Sequence, residues 1–397
     1  MRMRRLYTTR VPPTVVVTRR GAERLRGGHP WVYRTDVVSS DAEPGDLARV
    51  VVDRRRAVGW ALWSSASQIA LRRVTTDRHV DEGELWRALL ERALAYRASL
   101  SIDATAYRLV HGESDGLPGL IVDRYGDYLV LQALCQGMDR RIPALVESLT
   151  AIASPRGILA RNDPKVRRLE GLPEVVEVLS GEVPDLVEVS EGPMRYEADL
   201  RHGQKTGLFL DQRENHEAAV RYGRGRALDA FTYAGGFALR LAAVCESVLA
   251  LDSSEAAVAA TARHATANGV RNVDVRGANV FDALRELEVS QERFDTIVLD
   301  PPAFAKNKSA VPRAVAGYKE INLRAMKLLA VGGHLLSCSC SYHVDEALLQ
   351  GITESAAADA HATMVLVEKR MQARDHPILV GMPETHYLKC LVLRRIA

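Results

Sequence analysis

From Gly225 onward, apolar strand-like runs alternate with amphipathic helical ones, and this rhythm restricts the possible fold more than any other feature of the chain. "RALDAF" reads as a strand and "GGFALRLAAVCE" as a helix; "VLALD" is a strand and "SEAAVAATARHATANG" a helix. "VDVRG" and "FDTIVLD" are further strands, and "HLLSCSC" ends another. Strands alternating with helices of this length run parallel, so the pattern predicts a doubly wound α/β domain with a mainly parallel sheet. The late pair "ATMVLVEKR" and "HYLKCLVLRR" predicts an antiparallel hairpin at its edge.

Ligands of such sheets sit at the carboxyl ends of the strands, near the switch in strand order. The first strand runs into "DAFTYAGGFA", so Asp229, Phe231 and Tyr233 fall at its tip. Gly235 and Gly236 there let backbone approach a ligand at a helix N-terminus. Asp252 and Ser253 follow the second strand, with Asp252 lying 23 residues beyond Asp229, a spacing suited to a ribose diol. "GANVF" after the third strand sets Asn279 and Val280 where an adenine would be flanked. Singly each signal has an ordinary reading, a turn or a helix cap. In order, without GxGxxG or a Walker lysine, they point to a nucleoside ligand lacking a polyphosphate, and S-adenosylmethionine is the natural candidate.

The fourth strand ends in "VLDPPAF", where two prolines hold the backbone behind Asp300 and Phe304 stands ready to stack on a base. The fifth ends in "SCSCSY". Carbon 5 of a pyrimidine is a poor nucleophile until a thiolate adds at carbon 6, and Cys340 at this strand tip suits that role, with Asp300 as the partnering acid. Cys338, two residues back on the same face, reads as a deeper core residue.

Before this domain, "TVVVTR", "DLARVVVD", "AVGWALW" and "SQIALRRV" predict a small all-β barrel between residue 14 and about residue 75. A helix is expected after Asp81, with Leu85, Leu89, Ala93, Tyr96 and Leu100 on one face. A hairpin is expected around Arg124–Asp127, then a second amphipathic helix and the strand "RYEADL". The expected domains are thus 1–76, 77–195 and 196–397. The net charge of +3 over 397 residues makes no case for nucleic acid. Its distribution says more: residues 1–35 carry nine arginines against one acid, Glu23, and "RNDPKVRR" adds a second basic run. Arg20, Arg24, Arg26, Lys165, Arg167, Arg168 and Lys205 are the RNA-contact candidates.

Five scattered cysteines with no CxxC pair argue against a disulfide framework or a zinc site, and no metal is expected. No segment has the apolar length of a membrane helix, and the N-terminal residues lack the apolar stretch of a secretory signal, so cytoplasm is the expected compartment.

"LRGGHPWVY", "GESDGLPGLIVDRYGDYLVLQ", "HGQKTGLFLDQR", "FTYAGGFA", "DPPAF", "NKS", "GYKEIN" and "SCS" together span almost the whole chain. In this combination the chain resembles the RlmI-like family of ribosomal RNA cytosine-5 methyltransferases. The resemblance implies an N-terminal PUA barrel, a central α+β domain and a C-terminal class I methyltransferase domain. It implies S-adenosylmethionine as donor and a cytosine of large-subunit ribosomal RNA as acceptor, with a homodimer left open. The family's catalytic cysteine falls on Cys340 and its acid on Asp300. Phe209, Gln212 and Arg213 of "KTGLFLDQR" are implied to close over cofactor or RNA. Asn279 stands where relatives often have Asp, and "SYHV" after the cysteine departs from some of them. Methylation of a base nitrogen, which also uses DPPxF loops, and an inactive RNA-binding assembly factor are the alternatives. A dinucleotide oxidoreductase is more distant, because its glycine fingerprint is missing.

Overall fold

The computed structural model describes residues 12–53, 56–305 and 307–397. Contacts divide the chain into two units. The first takes in the described residues up to Ser101, then Arg108–Pro184 and Ile378–Pro383; the second comprises Ile102–Tyr107, Asp185–Pro377 and Glu384–Ala397.

The first unit opens with six strands, β1 (Thr14–Val17), β2 (Trp31–Tyr33), β3 (Val37–Ser40), β4 (Leu47–Val52), β5 (Arg56–Trp63) and β6 (Ile69–Thr75), paired in the order β2-β6-β5-β4-β1-β3. Alternate residues Val15, Val17, Val50 and Val52 point into one core with Ala61 and Leu71. Between β1 and β2 lies α1 (Arg19–Arg26), where only strands were expected. Its "RRGAERLR" has too few apolar residues to show a period, yet Ala22 and Leu25 bury against the barrel and Thr18 Oγ1 caps it, accepting from Gly21 N at 3.1 Å.

Helix α2 (Glu82–Ser99) starts at Asp81, whose carboxylate accepts from the amides of Gly83 and Glu84 as expected. Its buried face is Trp86, Leu89, Leu90, Ala93 and Arg97, rotated from the predicted one, and Tyr96 is exposed. Arg97 draws that rotation: it donates to Asp115 Oδ1 at 2.6 Å and to the Arg108 carbonyl at 3.0 Å. A five-stranded sheet follows, made of β7 (Ala106–His111), β8 (Leu120–Tyr125), β9 (Tyr128–Ala133), β10 (Gly157–Asn162) and β11 (Val175–Gly181) in the order β11-β10-β9-β8-β7. The expected hairpin joins β8 to β9, with Tyr125 opposite Tyr128. Helices α3 (Gln136–Asp139) and α4 (Ile142–Ala153) replace the single helix expected there.

Several arginines of this unit serve packing. Arg108 grips Asp123 through two bonds of 2.8 Å. Arg167 corrects an RNA-contact expectation: only 2% exposed, it donates to the Ala133 carbonyl, to Pro173 O at 2.8 Å and to Asp139 Oδ1 at 2.8 Å. A fork of five donors closes loop carbonyls that would otherwise lie unpaired. Lys165 and Arg168 beside it are exposed, the latter paired with Glu174.

The second unit contains the hairpin of β12 (Leu186–Glu191) and β13 (Met194–Asp199), within which the expected boundary at 195 falls. Then come α5 (Arg213–Tyr222), β14 (Arg226–Ala230), α6 (Gly236–Ala242), β15 (Ser247–Asp252), α7 (Glu255–Ala267), β16 (Val273–Gly277), α8 (Val280–Val289), β17 (Phe294–Leu299), α9 (Val311–Leu328), β18 (Leu329–Ser339), α10 (Glu346–Asp359), β19 (Met364–Met371) and β20 (Lys389–Arg395). The sheet order is β16-β15-β14-β17-β18-β20-β19. Strands β14 to β18 pair in parallel, while β20 runs antiparallel to both β18 and β19, as the sequence rhythm predicts. Helices cover both faces, so the central strands are apolar throughout. The order reverses between β14 and β17, which opens a crevice at their carboxyl ends.

Candidate active site

That crevice is a cavity of about 360 Å³. Its walls are the segment before α5, the turn after β14, the tip of β15, the Asp300–Pro302 bend after β17, and Cys340 just beyond β18.

The turn after β14 is a strained, over-determined structure. Phe231 (φ 70°) and Tyr233 (φ 48°) hold left-handed backbone that non-glycine residues avoid. The amides of Phe231 and Thr232 both donate to the Leu251 carbonyl at 2.9 Å, and Thr261 Oγ1 donates to the Tyr233 carbonyl at 2.7 Å. Asp252 Oδ2 accepts the Tyr233 amide and its Oδ1 the Ser254 amide, both at 2.9 Å. The carboxylate predicted for a ribose thus also shapes the loop beside it. Tyr233 OH accepts from the Gln204 amide and donates to the Gly207 carbonyl, each at 3.1 Å, and Phe209 meets its ring edge-on. These bonds seat the "QKTGLF" segment as one wall.

Phe209, Gln212, Phe231, Tyr233, Gly236, Asp252, Ser253 and Asp300 all line the cavity. Other expected cofactor contacts do not. Asp229 is fully buried beneath the turn, where its Oδ2 accepts from Thr232 Oγ1 at 2.6 Å and burial pushes its carboxyl up to about 6. Gly235 (φ +83°) serves the bend itself: a Cβ there would sit 2.9 Å from Thr261 Cγ2. Asn279 caps α8, accepting from the Phe281 amide at 3.0 Å, and Val280 is core. Arg213 is buried against Asp375 at 3.0 Å. Phe304 packs against Tyr318, Phe281 and Phe231. Asp229, Asn279 and Val280 stand at or near strand ends, yet the turn, the helix cap and the core claim them, which strand position alone does not reveal.

Asp300 and Cys340 come together at adjacent strand ends. Gln212 Nε2 donates to Asp300 Oδ1 at 2.8 Å, and Gln212 Oε1 accepts from Asn215 Nδ2 at 2.6 Å, so the carboxyl is held by a chain from α5. Burial pushes the Asp300 carboxyl up to about 7, helped by the charge on Asp211 and opposed by His216 and the Gln212 bond. Asp211 itself, against its burial, stays well below the usual carboxylate range because Lys205, His376 and Tyr387 surround it. Lys205, expected at the RNA, is turned inward to Asp211 and over the Phe209 ring.

Cys340 is half-buried with Sγ 3.8 Å from the Pro301 carbonyl, whereas the other four cysteines are buried free thiols. Burial first, then the Asp300 charge, pushes the Cys340 thiol up to about 11. The Ser-Cys alternation records the two faces of one strand. Ser339 Oγ donates to Tyr318 OH at 2.9 Å and Ser341 Oγ lies 3.0 Å from the same hydroxyl, on the α9 side. On the other face Cys338 packs in the core opposite Cys390, the deeper core position expected for it.

Several wall residues had no signal in the sequence. His216 Nδ1 lies 2.9 Å from Glu191 Oε1, its ring against Phe237 and over Gly236. Burial disfavours charge on it, but Glu191 outweighs that and raises its pKa. Tyr196 also lines the cavity, and its buried hydroxyl has no hydrogen-bond partner among the described residues.

Comparison with known proteins fits this geometry. Residues 15–76 match the PUA-like domain model and residues 142–394 match that of the S-adenosylmethionine-dependent methyltransferases. Over 382 residues, 93% of this chain and 96% of the relative, the sequence is 38% identical to the ribosomal RNA large subunit methyltransferase I of Photobacterium profundum. The chain belongs to this methyltransferase family. A solved putative SAM-dependent methyltransferase from Streptococcus mutans has the same fold, with a TM-score of 0.81 at 18% identity over 96% of this chain and 99% of that one. A putative methyltransferase complexed with SAH gives 0.83 at 19% over the same shares.

S-adenosylmethionine is the family's methyl donor, and the cavity fits it chemically. Asp252 offers a carboxylate for ribose hydroxyls, Phe231 and Tyr233 offer apolar ring walls, and Tyr196 beside them keeps a buried hydroxyl with no partner among the described residues. Among the described residues no cluster of side chains suits a metal, and no helix is long and apolar enough to cross a membrane.

Proposed function

We propose that this protein methylates carbon 5 of a cytosine in large-subunit ribosomal RNA through a transient bond between Cys340 and the base. The observation that carries the reading is the convergence of Cys340 and Asp300 on one cavity that Asp252 and the strained Phe231–Tyr233 turn also line. The relatives' names supply ribosomal RNA as the substrate class, and the PUA-like domain supports an RNA partner.

In this scheme Sγ of Cys340, as thiolate, bonds to carbon 6 and its electron pair makes carbon 5 nucleophilic. When bound, S-adenosylmethionine would supply an electrophilic methyl group, with a neutral thioether as the leaving group. A base then takes the carbon-5 proton, the S–C6 bond breaks and the thiolate returns. Asp300, with its carboxyl near 7, is protonated in part at neutral pH and is suited to hydrogen-bond the ring edge as charge builds there. Gln212 keeps that carboxyl aimed.

Arg20, Arg24 and Arg26 on α1, with Lys165 and Arg168, are our candidates for phosphate contacts. Arg20 is exposed though paired with Asp36 at 2.8 Å, and Arg24 stacks over Tyr33. Cytoplasm is the compartment in which such a substrate is met.

Nucleoside mass spectrometry of ribosomal RNA from cells with and without the protein tests the product. Loss of one 5-methylcytosine, restored by wild type and by Cys338→Ala but not by Cys340→Ala, is the expected result. A missing methyl on a base nitrogen, or full activity of Cys340→Ala, ends the covalent scheme.

A further inference from the structure

A thiol pushed up to about 11 is a poor starting point for a nucleophile that must act as thiolate. The charged groups facing Cys340 are Asp300 at the end of β17, Asp211 and Lys205 on the segment before α5, and Lys389 on β20. The two carboxylates oppose the thiolate. Lys205 favours it, but its ammonium is already matched to Asp211.

Lys389 is different. It is the first residue of β20, opposite Ser339 in the antiparallel ladder, and is 1% exposed. Its Nζ donates to the Ser341 carbonyl at 2.8 Å and to the Tyr387 carbonyl at 2.9 Å. Neither bond goes to a carboxylate. Lysine is almost never fully buried unless paired. The groups facing this one are Cys340, Asp345 at the α10 cap and His386.

We propose that Lys389 is a positioning residue for Cys340: its ammonium ties down the backbone one residue past the thiol and supplies the positive charge that favours the thiolate. This rests on the reading of Cys340 as nucleophile. The role has a built-in limit. Burial pulls the ammonium down to about 8, so the charge is present below that pH and fades above it.

Alkylation of the full-length protein by iodoacetamide, read by mass spectrometry at Cys340, tests this without methyl transfer. The thiolate displaces iodide, the thiol proton having gone to solvent, and the four buried cysteines react slowly. At pH 7 the wild type should react about tenfold faster than Lys389→Met, one pKa unit of thiol. The ratio should shrink through pH 8, and Lys389→Arg should recover most of the rate. Unchanged binding of S-adenosylhomocysteine by calorimetry shows that the variants are folded. Equal rates at pH 7, or a ratio constant across pH 6.5–9.5, overturn the proposal. If Lys389→Met does not fold, the wild type alone decides. Its log rate must flatten near pH 8, as the lysine discharges, and a straight line of slope one to pH 9.5 overturns the idea. Full methyl transfer by Cys340→Ala would instead remove the nucleophile reading and leave the alkylation ratio intact.

Discussion

Replacing Asp300 with asparagine should make this protein more stable and inactive at once. The carboxyl moves from an ordinary 3.8 to about 7 on folding, mainly through burial. Three units correspond to about 4 kcal/mol. The folded state holds the proton more tightly than the unfolded one, so stability falls as pH rises from about 4 through about 7. The wild type bears the whole penalty above that. Asparagine carries no charge, and its amide oxygen still accepts from Gln212 Nε2. Asp300→Asn should therefore gain about 2–4 kcal/mol at pH 8.5, the lower figure allowing for burial of the amide itself, and, with the same allowance, lie between about 1 kcal/mol more and about 1 kcal/mol less stable than wild type at pH 4.5. For a unit of this size that is a midpoint on the order of 5–10 °C higher at pH 8.5. Scanning calorimetry at the two pH values, beside a methyl-transfer assay, reads both effects. A variant no more stable than wild type at pH 8.5, or equally stabilised at both pH values, would refute the argument that burial raises this carboxyl.

Arg167→Ala should cost about 2–4 kcal/mol in urea unfolding, because it leaves buried carbonyls and Asp139 without their donor; unchanged stability would mean the fork is dispensable. Gly236→Ala should lower affinity for S-adenosylhomocysteine at least about tenfold, since the new Cβ would meet His216 Cε1 at 2.4 Å while Glu191 and Phe237 hold that ring. Wild-type affinity by calorimetry would show that the imidazole is free to move.

What the sequence determined by itself was the local and the periodic. Parallel strands buried on both faces write themselves as apolar runs, and the helices between them as amphipathic ones, so the doubly wound sheet and its edge hairpin were readable from Gly225 onward. Strand ends are where such sheets bind ligands, so Asp252, Asp300 and Cys340 could be named in advance, as could the Asp81 cap. Tertiary structure decided everything that depends on what stands opposite. Arg167 and Arg97 look like surface charge in the chain and are buried forks in the fold, because only packing reveals which carbonyls lack donors. Asn279, Val280 and Asp229 stand at the predicted strand ends, yet the helix start, the core and the turn claim them. Glu191, His216, Gln212, Asp300 and Cys340 span about one hundred and fifty residues of sequence and meet at one crevice, with Lys389 buried behind the last of them. The proton affinities of that group follow from burial and mutual charge, which have no counterpart in a linear chain.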